Sequence, residues 1–426
     1  MASNLNLLSS TNRIEIPFIK VKIGEYTFGA CAANTKSISA YNNLKDIQFP
    51  NYIKSLSIVK INGQVNTYTL NLTYPIRPGD DPNFFEKIFS KVSVSRSITF
   101  SYGDYSVPNY YYKDEKAIIT KVTTSFDRNS ATISYTVNAV SSGALGYSIK
   151  KSYGATHAKP SEIIYKILKD DSNGLGDLFY GLKPYLKNTE QLRSWGIIAG
   201  GDKAVDLEYK NTSPIEYIQY LVNSMIPQDT LTNKTKGKAF YAFTIHDENE
   251  NNVKYKDING PYFTVTRVEK DIQYSDAYEI TLGYPSGNLV TNFSYENNEN
   301  YSLLYDYQES LDINNYVERV NAVTGEITTN YSPALISSSG TRTPTAIEKN
   351  WYTKLTEYPV SASITIKGLL RPALLMEYVK LNVIFHGRKH ISSGIYIITK
   401  QTDQIDGSGY RTTLNLTRIA SDPDFQ

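Results

Sequence analysis

Thr67-Tyr68-Thr69-Leu70-Asn71-Leu72-Thr73-Tyr74 reads as a half-buried strand. Successive side chains of an extended chain point to opposite sides, so Tyr68, Leu70, Leu72 and Tyr74 share one face and Thr67, Thr69, Asn71 and Thr73 the other. One face is apolar and the other carries hydroxyls and an amide. Just upstream, Asn62-Gly63 supplies a tight turn, so Ser55 to Lys60 and Val65 to Tyr74 form a β-hairpin whose register the alternation fixes.

Strands extend outward from this hairpin. Ile14-Glu15-Ile16 and Ile19 to Ile23 precede it; Ser97 to Tyr102, Ala117 to Phe126 and Ala131 to Val140 follow it, with Asp127-Arg128-Asn129 as a turn. Arg77 to Pro82 interrupts the sheet. Asp81 is placed to cap a short helix with Pro82 at its first position and Phe84, Phe85, Ile88 and Phe89 on one side, packed against the sheet. Beyond Ser141-Ser142-Gly143 the period becomes helical. Ile163, Ile164, Ile167 and Leu168 form a stripe after Pro160. Ser213-Pro214-Ile215-Glu216 is a capping box ahead of Ile218, Leu221, Val222 and Met225, with Pro227 as the stop. Gly200-Gly201-Asp202 reads as a loop between these helices.

Strands return at Ala239 to His246, Pro261 to Lys270 and Ala277 to Leu282, with Asp247 to Asn252 as a polar hairpin tip. Residues 286 to 357 are rich in Asn, Tyr, Ser and Thr; an inserted arm and a set of thin edge strands both suit that composition. Val360 to Ile366, Glu377 to Phe385, Gly394 to Thr399 and Gly409 to Ile419 close the chain as strands, joined in part by turns at His386 to Lys389 and Asp406 to Gly409. No short-period repeat stands out. A strand-rich block lies on each side of the helical middle, which duplication of one β unit and coincidence both explain.

At 426 residues and 48.0 kDa the chain has room for two or three cores. Lys plus Arg number 44 against 42 Asp plus Glu, so net charge points to neither nucleic acid nor an acidic membrane. The 36 tyrosines suit pleated surfaces, and AT-rich codon usage explains them equally well. A single cysteine, Cys31, excludes an intramolecular disulfide framework and fits a small buried thiol. Met1 to Asn12 lacks a secretory signal, and no run approaches the roughly 18 apolar residues of a membrane span. Assembly in a cytoplasm is therefore expected.

No constellation demands catalysis. The four histidines, His157, His246, His386 and His390, are scattered; His386 and His390 fall on a turn without acids to complete a metal site and read as solvated loop residues. Asp80-Asp81 and Glu248/Glu250 suit a helix start and a hairpin tip better than the two carboxylates of a glycosidase. Gly24 to Gly29 and Gly200 to Lys203 lack phosphate-loop spacing, and no nucleophile elbow occurs. Tyr110-Tyr111-Tyr112 fits a protein interface, where a ring is apolar and its hydroxyl polar, better than a sugar platform. Catalytic, cofactor-binding and metal-binding residues are thus expected to be absent, and the chain is read as non-enzymatic.

Two blocks resemble the baseplate hub proteins of long-tailed bacteriophages and the related spike-hub proteins of contractile injection systems. One runs from Asn51-Tyr52-Ile53 through Thr69 to Pro75, Gly79 to Phe85 and Ser101-Tyr102-Gly103-Asp104. The other comprises Gly368, Pro372, Val379 to Val383, Ser393 to Ile398 and Gly409-Tyr410-Arg411-Thr412-Thr413-Leu414-Asn415-Leu416-Thr417-Arg418. The resemblance implies a mainly β (α+β) chain: a tube-like β-barrel or sandwich domain at 14–150, a helical middle at 151–235, and a second tube-like domain at 236–420 carrying an insertion at about 286–357. It further implies a homotrimer in the virion tail that adapts a six-fold tube to a three-fold spike and lines the DNA channel. Its partners would be tail tube, central spike, tape measure and baseplate wedge proteins. A host-adhesion or carbohydrate-binding sandwich and an ordinary tail-tube or distal-tail subunit are the alternatives; a tail-associated glycan or peptidoglycan hydrolase is the enzymatic one.

Overall fold

The computed structural model describes residues 17–31, 47–50, 52–79, 90–104, 111–186, 189–194, 196–225, 239–247, 258–269, 278–284, 290–297, 360–367 and 375–421. A first block contributes β1 (Pro17–Ile23), β2 (Tyr26–Cys31), β3 (Phe49–Pro50), β4 (Ile53–Ile61), β5 (Thr67–Pro75), β6 (Ser97–Asp104), β7 (Tyr111–Asp127) and β8 (Thr132–Ser141). The middle carries β9 (Lys151–Ala158), α1 (Pro160–Lys169), α2 (Leu175–Leu178), α3 (Thr189–Ser194), β10 (Val205–Thr212), α4 (Pro214–Ser224), β11 (Ala239–His246) and β12 (Tyr262–Glu269). A last block adds β13 (Tyr278–Tyr284), β14 (Val290–Asn297), β15 (Val360–Lys367), β16 (Tyr378–Phe385), β17 (Arg388–Lys389), β18 (Gly394–Asp406) and β19 (Gly409–Ser421). The fold is mainly β, as expected, and the described helices lie in the middle.

Local chemistry accounts for the turns and caps. Gly63 takes a positive φ of 74° at the β4–β5 turn, a conformation open to glycine at no steric cost. The capping box of α4 is formed: Ser213 Oγ accepts from Glu216 N, and Glu216 accepts from Ser213 N. Helix α1 lacks a side-chain cap from its own N-cap residue, Lys159. Asp202 substitutes for it from the Gly200-Gly201-Asp202 loop, accepting from Ser161 N at 2.9 Å and Ser161 Oγ at 2.6 Å. That loop aspartate is fully buried.

The middle is less helical than its sequence suggests, since β9 and β10 form an antiparallel pair there. Their sequences, Lys-Ser-Tyr-Gly-Ala-Thr-His-Ala and Val-Asp-Leu-Glu-Tyr-Lys-Asn-Thr, contain few large apolar residues and left no clear alternation to read. Of the 286–357 segment, 290–297 is strand β14, paired with β15, so an edge strand is realised at that end. The rest of the segment, the helix expected at 82–89, Ile14 to Ile16 and the side chain of Cys31 lie outside the described residues.

The largest sheet runs β14-β15-β19-β18-β4-β5-β8-β7-β6-β1-β2-β3, with β13, β16 and β17 branching from β18. It joins the first and last blocks through β18 and β4, paired antiparallel from Lys400↔Ile61 to Ile405↔Leu56. One apolar core lies under the first block, a second under the last, and a third joins α1 and α4 to β11 and β12. The Asn62-Gly63 turn docks the middle onto the sheet. Gly63 N donates to Phe243 O at 2.8 Å, Asn62 N to Thr399 O at 3.0 Å, and Thr244 Oγ1 to Asn62 Oδ1 at 3.1 Å.

Because Ser213 satisfies one of the orphan donors at the start of α4, Ser213→Ala is expected to lower stability by about 1 kcal/mol. Urea unfolding followed by far-ultraviolet circular dichroism checks this; an unchanged midpoint would show that the cap contributes nothing.

Candidate functional site

Within the large sheet, β4, β5, β8 and β7 from the first block lie side by side in that order, and so do β14, β15, β19 and β18 from the last. Numbering each set by chain position gives the same antiparallel order, first-second-fourth-third. The registers match as well. Lys121 pairs with Asn138, Asn138 with Thr69, and Thr69 with Ser57; Lys400 pairs with Asn415, Asn415 with Ser363, and Ser363 with Ser294. A register shift between Ile119 and Lys121 has its counterpart between Ile398 and Lys400, and one between Ile53 and Ser55 has its counterpart between Val290 and Asn292. At the first of these bulges Thr120 Oγ1 donates to Asn138 O at 3.2 Å; at its counterpart Thr399 Oγ1 donates to Asn415 O, also at 3.2 Å.

The equivalence exposes a sequence match that inspection missed: Ile118-Ile119-Thr120-Lys121 against Ile397-Ile398-Thr399-Lys400, followed by Thr136-Val137-Asn138 against Thr413-Leu414-Asn415. The chain carries a duplicated β unit.

Across these eight strands the face turned away from the cores is lined mainly by small polar residues, with Val59, Ile61 and Val140 among them. Ser294, Ser363, Thr365, Thr413, Asn415, Thr402, Ser57, Ser55, Thr69, Asn71, Thr73, Thr136 and Ser134 continue one another from strand to strand. Many bond sideways: Thr136 Oγ1 to Asn71 Oδ1 at 2.9 Å, Asn71 Nδ2 to Ser55 Oγ at 2.8 Å, Thr69 Oγ1 to Asn138 Oδ1 at 3.1 Å, and Thr365 to Thr413 at 2.9 Å. The face is extended and lightly charged, with Lys121, Lys400, Arg411 and Glu296 toward its margins.

Behind this face, where β18 meets β4, lies a buried ionic cluster. Lys60 Nζ bonds Glu115 Oε1, with 6% and 0% of the two side chains exposed. Tyr68 donates to Glu115 at 3.0 Å and lies 3.3 Å from Asp247, which also accepts from Asn66 Nδ2 at 2.7 Å and from Ser141 Oγ. Asp403, on β18, accepts from Thr412 at 2.6 Å and Tyr410 at 3.0 Å. One lysine thus faces three buried carboxylates drawn from three parts of the chain. Burial raises Asp247 to about 6, reinforced by Glu115 and opposed by Ser141, Lys60 and Asn66; burial also raises Asp403.

Asp247 corrects the sequence reading, which placed it on a solvated hairpin tip. It continues the inward row Tyr241, Phe243, Ile245, and that phase was the available signal. His246 ends the strand expected at Ala239 to His246: it is buried on β11, stacked on Tyr262 with ring centroids 4.6 Å apart, and its Nε2 lies 3.0 Å from Thr264 Oγ1. His157 and His386 are exposed and His390 half-buried, its Nδ1 2.7 Å from Ser392 Oγ. Gly24 to Gly29 is a hairpin turn and strand. Asp80, Asp81, Glu248, Glu250, Tyr110 and the side chains of Tyr111 and Tyr112 lie outside the described residues. Among the described residues no group of three or more His, Cys, Asp or Glu is arranged to hold a metal ion, and no helix is long and apolar enough to cross a membrane.

A carboxyl whose pKa is raised on folding favours the fold when protonated. For Asp247 that contribution is complete below about pH 4 and lost as pH rises through about 6, on the order of 2–3 kcal/mol. Asp247→Asn removes the ionisation, and its amide hydrogens offer a partner to Asn66 Oδ1, which has none. The variant is expected to melt above the parent at pH 8, with the gap closing toward pH 5. A gap that does not change over that range would show another cause.

No protein-family model and no curated protein matches the chain. Among solved structures it is similar to a tail protein from Neisseria meningitidis, at 9% identity over 94% of this chain and 96% of that one, TM-score 0.47. A 43 kDa tail protein of prophage MuSo2 from Shewanella oneidensis is similar at 11% identity over 95% and 100%, TM-score 0.48. An Escherichia coli component of the type VI secretion system, described as structurally similar to bacteriophage T4 tail proteins, is similar at 9% identity over 85% and 73%, TM-score 0.42.

Proposed function

We propose that the chain is a structural hub of a phage-type tail, three copies of which close a ring whose lumen is the Ser/Thr/Asn face. The observation that carries this reading is the duplicated four-stranded unit. Two like units per chain make six around a three-fold axis, so one face of the ring meets a six-fold tube while the chain symmetry meets a three-fold spike. The role is geometric and non-enzymatic.

The lining suits a conduit for DNA. Affinity for a phosphate backbone comes mainly from Lys and Arg, which release counterions on contact. A wall of hydroxyls and amides, many already bonded to one another, offers few such contacts and lets a polyanion pass. In this reading the neighbours are tail tube, central spike, tape measure and baseplate wedge proteins, and the ring is built in the host cytoplasm before joining the virion tail.

Light scattering is expected to give a mass three times the 48.0 kDa chain, and averaged particle images a six-lobed ring with three-fold symmetry. A mass of one chain at every concentration, or a ring of another order, would overturn the reading.

A further inference from the structure

The seam inside the chain, β18 against β4, joins the third strand of one unit to the first strand of the other. The first strand of the last unit, β14, has no further described strand beside it, and β7 runs past its neighbour β6. From Lys121 to Asp127, β7 pairs with β8 on one side and with no described strand on the other. The equivalent stretch of β18 is covered by β4.

Burial follows that difference. At the tip of the last unit, Ile405 and Tyr410 are 3% and 2% exposed, because they enter the core of the adjacent first unit. By register their counterparts at the tip of the first unit are Phe126 and Ile133. Phe126 is 60% exposed and Ile133 half-buried. Thr124, the counterpart of buried Asp403, is exposed. An apolar tip shaped for a neighbouring core thus stands where the described residues of this chain offer no such core.

We infer that β7 of one copy pairs antiparallel with β14 of a second copy in the register of the internal seam, with Phe126 entering the second copy's last-unit core beside its Phe293. This rests on the ring reading. Carrying Gln404↔Ser57, Thr402↔Val59 and Ile405↔Leu56 onto their counterparts sets Ser125 opposite Ser294, Thr123 opposite Glu296 and Phe126 opposite Phe293. The β14 edge fits the role: Phe293 and Tyr295 are half-buried and pack on the last-unit core, while Ser294 and Glu296 are exposed on the polar face. Lys121 would lie near Glu296 across the seam. The second copy is favoured as occupant because the edge it covers repeats a contact the chain already makes with itself.

The test uses the full chain with Cys31→Ser. Ser125→Cys/Ser294→Cys and Thr123→Cys/Glu296→Cys are expected to give covalent trimers with a short bis-maleimide. Ser125→Cys/Glu296→Cys, offset by two residues, is expected to link at least tenfold more slowly. Phe126→Asp, a change at an exposed position, should leave the circular dichroism spectrum of the single chain intact and shift the mass from three chains to one. Trimers that link faster in the offset pair, or that persist with Phe126→Asp, would overturn the seam and leave the ring standing. A parent that stays a single chain would overturn the ring itself.

Discussion

The backbone pairing of β18 with β4 is the constraint on which the molecule depends. A four-stranded sheet leaves two rows of unpaired N–H and C=O groups, and burying or pairing them is what makes an isolated unit useful as a building block. Here one unit pairs its third strand with the first strand of the next, from Lys400↔Ile61 to Ile405↔Leu56. The contact is heterologous, one surface meeting a different one, so the pair still ends in a first-strand edge at one side and a third-strand edge at the other. A chain built this way carries two like units in one continuous sheet. The middle region reinforces the joint from behind, since the Asn62-Gly63 turn of β4 is held by Phe243 and Thr244 of β11 and by Gln219 of α4.

The two faces of that sheet answer different demands. Inward positions take Leu56, Ile58, Leu70, Leu72 and Val137 in one unit and Ile364, Ile366, Leu414 and Leu416 in the other. Their burial supplies roughly 1.5–3 kcal/mol per large side chain and sets the register, because a slip of one residue would turn every such group to solvent. The other face carries side chains that bond along the sheet, as Thr136 does to Asn71 and Thr365 to Thr413. Such a surface is polar without a strong field, and many of its hydrogen bonds are already made within the sheet.

Alternation made much of the sheet legible. Tyr68, Leu70 and Leu72 announced an inward row, Asn62-Gly63 a turn and Ser213 to Glu216 a cap, and each rests on rules that act within a few residues. Duplication was harder to see, because Ile118-Ile119-Thr120-Lys121 and its copy lie 279 positions apart in a chain whose other equivalent strands share face chemistry more than identity. The matching registers and bulges tie the copies residue by residue, the bulge at Thr120 and Thr399 with a matching hydroxyl-to-carbonyl bond. The ionic cluster was hidden for another reason. Lys60, Asp247 and Asp403 each sit in phase with apolar neighbours, so phase predicts burial while charge predicts exposure, and tertiary partners decide between them.

That cluster also distinguishes a joint within a chain from a joint between chains. Desolvating Lys60 with Glu115, Asp247 and Asp403 is costly, and the attraction of Lys60 for the carboxylates, with their hydrogen bonds, offsets it only when those partners are in place. Inside one chain the two units are tethered, so they meet at high effective concentration and the cost is tolerable. The gain is specificity, since a shift of β18 along β4 would leave a lysine or a carboxylate buried alone. At the outer edges the positions corresponding to Lys60 and Asp403 are Asn297 and Thr124. In the seam proposed between copies, a joint made from those residues would bury Phe126 without desolvating a charge, so that separate molecules would associate on apolar contact and strand pairing alone.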